Sequence, residues 1–257
     1  MSVAPLERPA TLEAVMPPER LGGRRDAVRL LVSRADGDEH TTFTDLPALL
    51  DARDLLVVND SATLPSSLQA SGRLGGFRLN LSTRYGPDLW LVEPRLSAAQ
   101  PGPLPLRAGE RIEAAGVAAR LVCPFPGAPR LWFVAFDDDV LPVMHARGEP
   151  IRYGYLRPPY PPLAAYQTMF ARHPGSAEMP SAARPFTRRV VHALRERDIR
   201  IVAITLHAGV SSLETDPDDV ARLPSVPEPF RVPAATVQAV GETKRRGGRV
   251  IAVGTTV

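Results

Sequence analysis

The stretch Ile199-Arg200-Ile201-Val202-Ala203-Ile204-Thr205-Leu206-His207-Ala208-Gly209 decides the fold class. Its first part is apolar at nearly every position. A strand with one wet face alternates, so a continuous run argues for cover on both faces. A helix precedes it: Thr187 can N-cap a segment that carries Val190, Val191 and Leu194 on one face. The same helix-then-strand unit occurs twice more. Thr44 can cap a helix running to Asp51, after which Asp54 opens Leu55-Leu56-Val57-Val58. Thr236 to Arg246 reads as a helix with Val237 and Val240 inward, stopped by Gly247-Gly248 and followed by Arg249-Val250-Ile251-Ala252-Val253. Three such units predict an α/β fold with parallel pairing.

Between the first two units the pattern changes. From about Gly72 to Val143 the apolar segments are short, roughly alternating and cut by Gly and Pro. Phe77 to Ser82, Leu89 to Val92, Arg111 to Glu113, Val117 to Val122 and Leu131 to Phe136 predict strands of a small antiparallel barrel or sandwich. The α/β pattern resumes after Tyr166. The expected organisation is a discontinuous α/β major domain, residues 1–65 and 150–257, interrupted by a β-barrel domain at 66–149.

Composition narrows the class. The 257 residues suffice for one large domain or two modest ones. Apolar residues at 44 % and charged residues at 23 % are ordinary for a soluble globular chain. No apolar run is long enough to cross a bilayer, and Met1 to Val15 carries no apolar core of a secretory signal. Cys123 is the single cysteine, so no disulfide forms within the chain and no cysteine-based zinc site exists. A cytoplasmic location is the expectation. The formal charge is +3, but Lys244 is the only lysine among 31 basic residues. That skew fits arginine-rich codon usage as well as an RNA-binding surface, and charge alone does not separate the two.

Parallel α/β sheets bind ligands beyond the carboxyl ends of their strands. Here those ends read Asn59-Asp60-Ser61, Thr205-Leu206-His207-Ala208-Gly209 and Gly254-Thr255-Thr256. Each end taken singly also fits a turn closed by a small polar residue. His207 is the sharpest candidate, because imidazole serves as acid or base near neutral pH. A hydrogen-bonded structural histidine is the competing reading. His40, His145, His173 and His192 have weaker contexts. No spacing matches a metal site, a phosphate loop or a dinucleotide fingerprint, and no metal is expected. Gly175 to Ala183 is rich in small residues before the second helix and can bring backbone N–H groups to an anion, or be an ordinary loop. Arg184, Arg188 and Arg189 crowd the start of that helix, where the dipole disfavours cations. Tyr153, Tyr155 and Tyr160, with Arg152 and Arg157, could stack on bases. The interleaved Pro158, Pro159, Pro161 and Pro162 favour a stiff linker instead.

These residues carry a resemblance. Arg25-Asp26-Ala27-Val28-Arg29-Leu30-Leu31, Leu55 to Ser61, Tyr166-Gln167-Thr168, Gly175-Ser176-Ala177, Pro180-Ser181-Ala182, Phe186-Thr187, Thr205 to Gly209, Glu228-x-Phe230 and Gly248 to Thr256 follow a common order and spacing. Together they resemble the S-adenosylmethionine:tRNA ribosyltransferase-isomerase family of queuosine biosynthesis, over essentially the whole chain. The resemblance implies a barrel-like, largely parallel α/β major domain with an inserted β-barrel. It implies transfer and isomerisation of the ribosyl group of S-adenosylmethionine, a consumed substrate, onto 7-aminomethyl-7-deazaguanine in a tRNA anticodon loop. It also implies no metal and no membrane; a monomer is expected. His207 and Glu228 are the catalytic candidates it suggests. Asn59, Asp60, Tyr166, Gln167, Thr168, Ser176, Ser181, Thr205, Gly254, Thr255 and Thr256 are the substrate-binding candidates.

The chain also departs from the family pattern. Pro185, Leu223 and Val226 stand where the family has histidines. Ala62 and Ser67 replace arginines, and Ser211-Ser212-Leu213 replaces Gly-Thr-Phe. The family continues beyond Gly-Thr-Thr, whereas this sequence ends at Val257. The alternatives to the enzyme are a non-catalytic nucleoside- or RNA-binding paralogue and an inactive fragment.

Overall fold

The computed structural model describes residues 14–97, 100, 102–152, 154–210 and 226–257. Tyr153, Ser211-Ser212-Leu213 and Leu223 therefore lie outside the described residues. After a 3₁₀ turn at Pro18–Leu21, a hairpin forms from β1 (Arg29–Arg34) and β2 (Gly37–Thr42). A 3₁₀ helix, Phe43–Leu49, leads to β3 (Leu55–Asn59) and β4 (Ser61–Thr63). Six strands follow: β5 (Ser67–Gly72), β6 (Gly75–Arg84), β7 (Leu89–Arg95), β8 (Arg111–Ala114), β9 (Val117–Phe125) and β10 (Ala128–Phe136). Then come α1 (Leu141–Arg147), β11 (His173–Ser176), α2 (Arg188–Glu196), β12 (Arg200–Leu206), β13 (Phe230–Arg231), α3 (Ala234–Arg245) and β14 (Val250–Ala252).

The sheet order is β13-β12-β3-β14, with β12 and β14 parallel to β3 and β13 antiparallel to β12. All five residues of β3 are buried, as its unbroken apolar run requires. Leu56 and Val58 pack on one face against Phe43, Phe186, Val190 and Leu194. Leu55 and Val57 pack on the other face against Ala239 of α3. Successive side chains of a strand point to opposite faces, so helices on both sides explain the sequence pattern. Asp54 pins the start of the sheet: Arg249 Nε donates to both of its carboxylate oxygens at 3.1 Å. That ion pair holds the Asp54 carboxyl down at about 2. Among the described residues this sheet is open, with four strands, and not the barrel-like body the resemblance implies.

Strands β5 to β10 close into a barrel in the order β10-β7-β6-β5-β8-β9. Its interior holds Leu68, Leu79, Leu81, Trp90, Leu121 and Val134, all buried. The chain enters at Ser67 and leaves near Glu149. These two residues exchange backbone hydrogen bonds of 2.9 and 3.0 Å, which close the excursion at its neck.

Local details differ from expectation. The first helix is 3₁₀ and starts at Thr42, not Thr44: Asp45 accepts from both the Thr42 backbone and its hydroxyl. Pro47 inside it offers no N–H, which suits a short tight turn better than an α-helix. Thr187 caps α2 as predicted, accepting from Val190 N at 3.4 Å. In α3 the buried residues are Thr236, Ala239 and Thr243, while Val237 is 59 % exposed. Thr236 turns inward because its hydroxyl donates to the Ala203 carbonyl of β12 at 2.6 Å. Strands β1, β2, β4, β5, β11 and β13 were not foreseen.

Candidate active site

Strand β3 runs directly into β4, and β4 pairs in parallel with β11. This second pairing sets Ser61 beside His173 and brings Ser176 to within 2.6 Å of the Ser61 hydroxyl. On the other side β12 delivers Thr205 and His207. The His207 Nδ1 is hydrogen-bonded to Ser61 Oγ at 2.8 Å. Ser176 Oγ accepts from the Ala208 backbone at 3.0 Å, so a continuous serine–serine–imidazole chain is anchored to the main chain. Gly175 is obligatory here. A Cβ at that position would lie 2.5 to 2.7 Å from three atoms of the imidazole ring.

Asn59 ties the strand tips together. Its carbonyl oxygen accepts from Ser61 N and Leu206 N, and its amide donates to the Leu206 carbonyl. Asp60 accepts from the Thr205 hydroxyl at 2.6 Å and lies 3.7 Å from His173 Nε2. Glu228 accepts from Gly209 N at 2.7 Å. Burial lowers the pKa of His207; the neighbouring His173 adds to this, while Asp60 opposes it. A neutral imidazole at pH 7 follows, with Nδ1 engaged.

The ring is half-buried and reaches solvent through two adjoining clefts, of about 310 and 280 Å³. The first lies between sheet and barrel: Pro174, Gly175 and His207 face Ser82, Thr83 and Trp90 of the barrel and His145 of α1. The second is lined by His173, Thr205, Phe230 and Arg231. The Thr83 hydroxyl, buried on the barrel side, has no hydrogen-bond partner. His207 is thus neither sealed in the core nor fully exposed.

The predicted residues do not all meet here. Asn59, Asp60, Ser176, Thr205, His207 and Glu228 gather at the tips of β3 and β12. Tyr166 and Ser181 line a separate cleft of about 360 Å³ with Met16, Ile151, Ala177 and Arg184, where the Tyr166 hydroxyl is buried without a partner. Gln167 mimics a strand edge: its amide group accepts from Thr63 N and donates to Thr63 O. The Thr168 hydroxyl accepts from Phe170 N at 3.3 Å. Gly254, Thr255 and Thr256 line none of these clefts; Gly254 sits against Ala182, at a positive φ of 97°.

Two anion-related readings are corrected. The backbone N–H groups of Ala177 and Glu178 both point to the Ala208 carbonyl and are not free for a ligand. Two of the three cations at the start of α2 have a protein partner: Arg189 pairs with the fully buried Asp26, which also accepts from Thr187. Burial works to raise the Asp26 pKa, but the hydrogen bond from Thr187 and the charges of Arg24 and Arg189 outweigh it and lower it. Arg184 pairs with Glu19. Val226, at a family histidine position, packs against Leu91, Ala128 and Leu131 of the barrel.

His173 and the barrel-side residues Ser82, Thr83 and His145 were missed as contributors. The segment His-Pro-Gly-Ser has no strand periodicity, so no local signal marks His173. Among the described residues no cluster of three or more His, Cys, Asp or Glu side chains could hold a metal ion. No helix among them is long and apolar enough to cross a membrane.

Fold and site define a class: a mixed α/β protein with a closed antiparallel barrel, whose parallel strands end in a polar cluster around one histidine. The family model described as queuosine biosynthesis protein matches residues 6–257, and the chain belongs to that family. It is 34 % identical over 260 residues to the S-adenosylmethionine:tRNA ribosyltransferase-isomerase of Acidiphilium cryptum, covering 94 % of this chain and 72 % of that one. The protein of the same name from Thermus thermophilus is 31 % identical over 255 residues, with the same coverage. That from Acaryochloris marina is 34 % identical, and there the chain spans 65 % of the relative's length. A solved S-adenosylmethionine tRNA ribosyltransferase from Thermotoga maritima aligns with 96 % of this chain and 67 % of that chain at 22 % identity, with a TM-score of 0.40, too low to carry an argument.

Proposed function

We propose that this chain transfers and isomerises the ribosyl group of S-adenosylmethionine onto 7-aminomethyl-7-deazaguanine in tRNA, giving epoxyqueuosine-tRNA. The names of its relatives support the reading. The observation that carries it is the half-buried His207, held through Nδ1 by Ser61 at the mouth of a cleft between sheet and barrel. We read the molecule as two domains, 1–65 with 150–257 and the inserted 66–149, so that this cleft runs between them.

The chemistry needs a base beside the sulfonium. That charge acidifies the neighbouring C5′ hydrogen, and a positioned imidazole removes the proton. When Nδ1–H donates to Ser61, Nε2 carries the required lone pair. Adenine leaves, the amine of the modified base attacks, and methionine departs. In this reading Glu228 fixes the Gly209 backbone beside the ring, and Asp60, Thr205 and Ser176 hold the strand tips on which a ribose sits.

The test is adenine release from S-adenosylmethionine in the presence of tRNA carrying the aminomethyl base. No adenine above background ends the enzymatic reading. Calorimetric binding of either ligand without turnover would assign the chain to the nucleoside- or RNA-binding alternative, toward which the apolar packing of Val226 points.

A further inference from the structure

The proline-rich stretch after Glu149 is more than a spacer. It lies along the barrel wall and completes a fourth cleft, of about 330 Å³, away from His207. Three guanidiniums line it: Arg78 and Arg95 from β6 and β7, and Arg152 from the strap. Glu149 is the one carboxylate among its lining residues. It pairs with Arg78 at 3.0 Å and with Arg152 at 3.1 Å. Behind the wall the buried Glu93 answers Arg95 and Arg130. Arg78 and Arg152 thus share Glu149, and Arg95 and Arg130 share Glu93.

The arrangement is crowded with cations. Burial lowers the pKa of Arg78; Glu149 opposes, and the neighbouring Arg152 adds to the lowering. Arg152 Nε is buried with no hydrogen-bond partner. A guanidinium left partly unsatisfied at a cleft favours an anionic oxygen against its accessible nitrogens. Tyr160 supplies the second element. The Arg152 guanidinium sits over its ring, 4.1 Å from the centroid, and Tyr160 as a whole is 38 % exposed. Asn80, Ser97 and Gln69 add neutral polar groups. Guanidiniums beside a partly exposed aromatic ring are what a nucleotide demands: cations for its phosphate, a π-face for its base. The volume suits one nucleotide and not a duplex.

We propose that this cleft is a nucleotide-binding site, distinct from the His207 clefts, which holds a phosphate against Arg152, Arg78 and Arg95 and stacks a base on Tyr160. The nucleotide is either one unit of an RNA strand or a free mononucleotide. The RNA source rests on the reading of tRNA as acceptor; the site itself does not.

The experiment titrates the full chain with a fluorescent single-stranded RNA heptamer and, separately, with adenosine 5′-monophosphate. It compares wild type with Arg152→Gln and Tyr160→Ala. Both side chains lie at the cleft rim, and an unchanged melting temperature verifies the fold. Arg95 is left alone because it answers the buried Glu93. The expected result is weaker binding by about fivefold to a hundredfold for Tyr160→Ala, the range of one base–aromatic stack. For Arg152→Gln the slope of log affinity against log salt falls by about 0.7 if the ligand is RNA. Loss of mononucleotide binding with no RNA binding in the wild type assigns the free nucleotide. Affinities within twofold of wild type in both folded variants, or no binding of either probe to the wild type, overturn the site. Adenine release from S-adenosylmethionine, with tRNA carrying the aminomethyl base, is measured on the same protein preparations. Its absence in a wild type that binds the probes refutes the transferase reading and leaves this site standing.

Discussion

The parallel sheet and the barrel solve one problem in opposite ways. The sheet buries β3 throughout, leaves β12 and β14 half-buried beside it, and carries its chemistry at the strand tips: Asn59, Asp60, Thr205 and His207 all lie at or just beyond the ends of β3 and β12. The barrel turns one face of its strands into the apolar interior and carries polar groups on the other, such as Asn80, Glu93 and Arg95, themselves buried. A tip residue is positioned by where its strand ends. A wall residue is positioned by register, so a one-residue slip would turn it inward. The difference predicts which changes damage reaction and which damage fold.

His207→Ala sharpens this most. At a strand tip it is expected to lower adenine release by about 10²- to 10⁴-fold with little change in melting temperature. The wild-type rate should fall as pH drops through an imidazole value below the ordinary 6.5, because protonation removes the lone pair. An acid limb centred above 6.5 contradicts the assignment. Leu121→Ala is the counterpart inside the barrel. Leu121 is fully buried there, and its truncation should cost about 2–5 kcal/mol in denaturant unfolding. If His207→Ala destabilises as much as Leu121→Ala, the separation of tip from core fails.

Gly175→Ala tests the tip more finely. Its methyl group must displace the imidazole, and a shift of about 1 Å can cost about a hundredfold in turnover. Unfolding should move much less than for Leu121→Ala, and an unchanged rate would mean that ring placement is irrelevant. The smallest effect is at the opposite end of the sheet. Asp54→Asn should cost about 1–2 kcal/mol at pH 7, discounted because Arg249 is largely exposed. The folded pKa lies below the unfolded one, so this contribution is complete above about pH 4. It is lost as pH falls toward 2. A wild-type–variant difference that stays constant from pH 7 to pH 2 would remove the ion pair as its source.

The sequence by itself determined the three parallel strands, of which only β3 is buried at every residue, the helix capped by Thr187, most barrel strands and the strand-tip residues of the site. Each is a local signal: an apolar run, a cap, an alternation, a polar residue after a strand. Only tertiary structure decided that β4 pairs with β11, which sets Ser61, 146 residues from His207 in sequence, and the nearer Ser176 and His173 around the imidazole. It also decided that Tyr166 and Ser181 open a different cleft, that Gln167 is taken up by Thr63, and that Arg152 and Tyr160 meet the barrel's arginines. The reason is physical: periodicity records which face of an element is buried, whereas a site depends on distances between elements, and those are fixed by packing and long-range pairing.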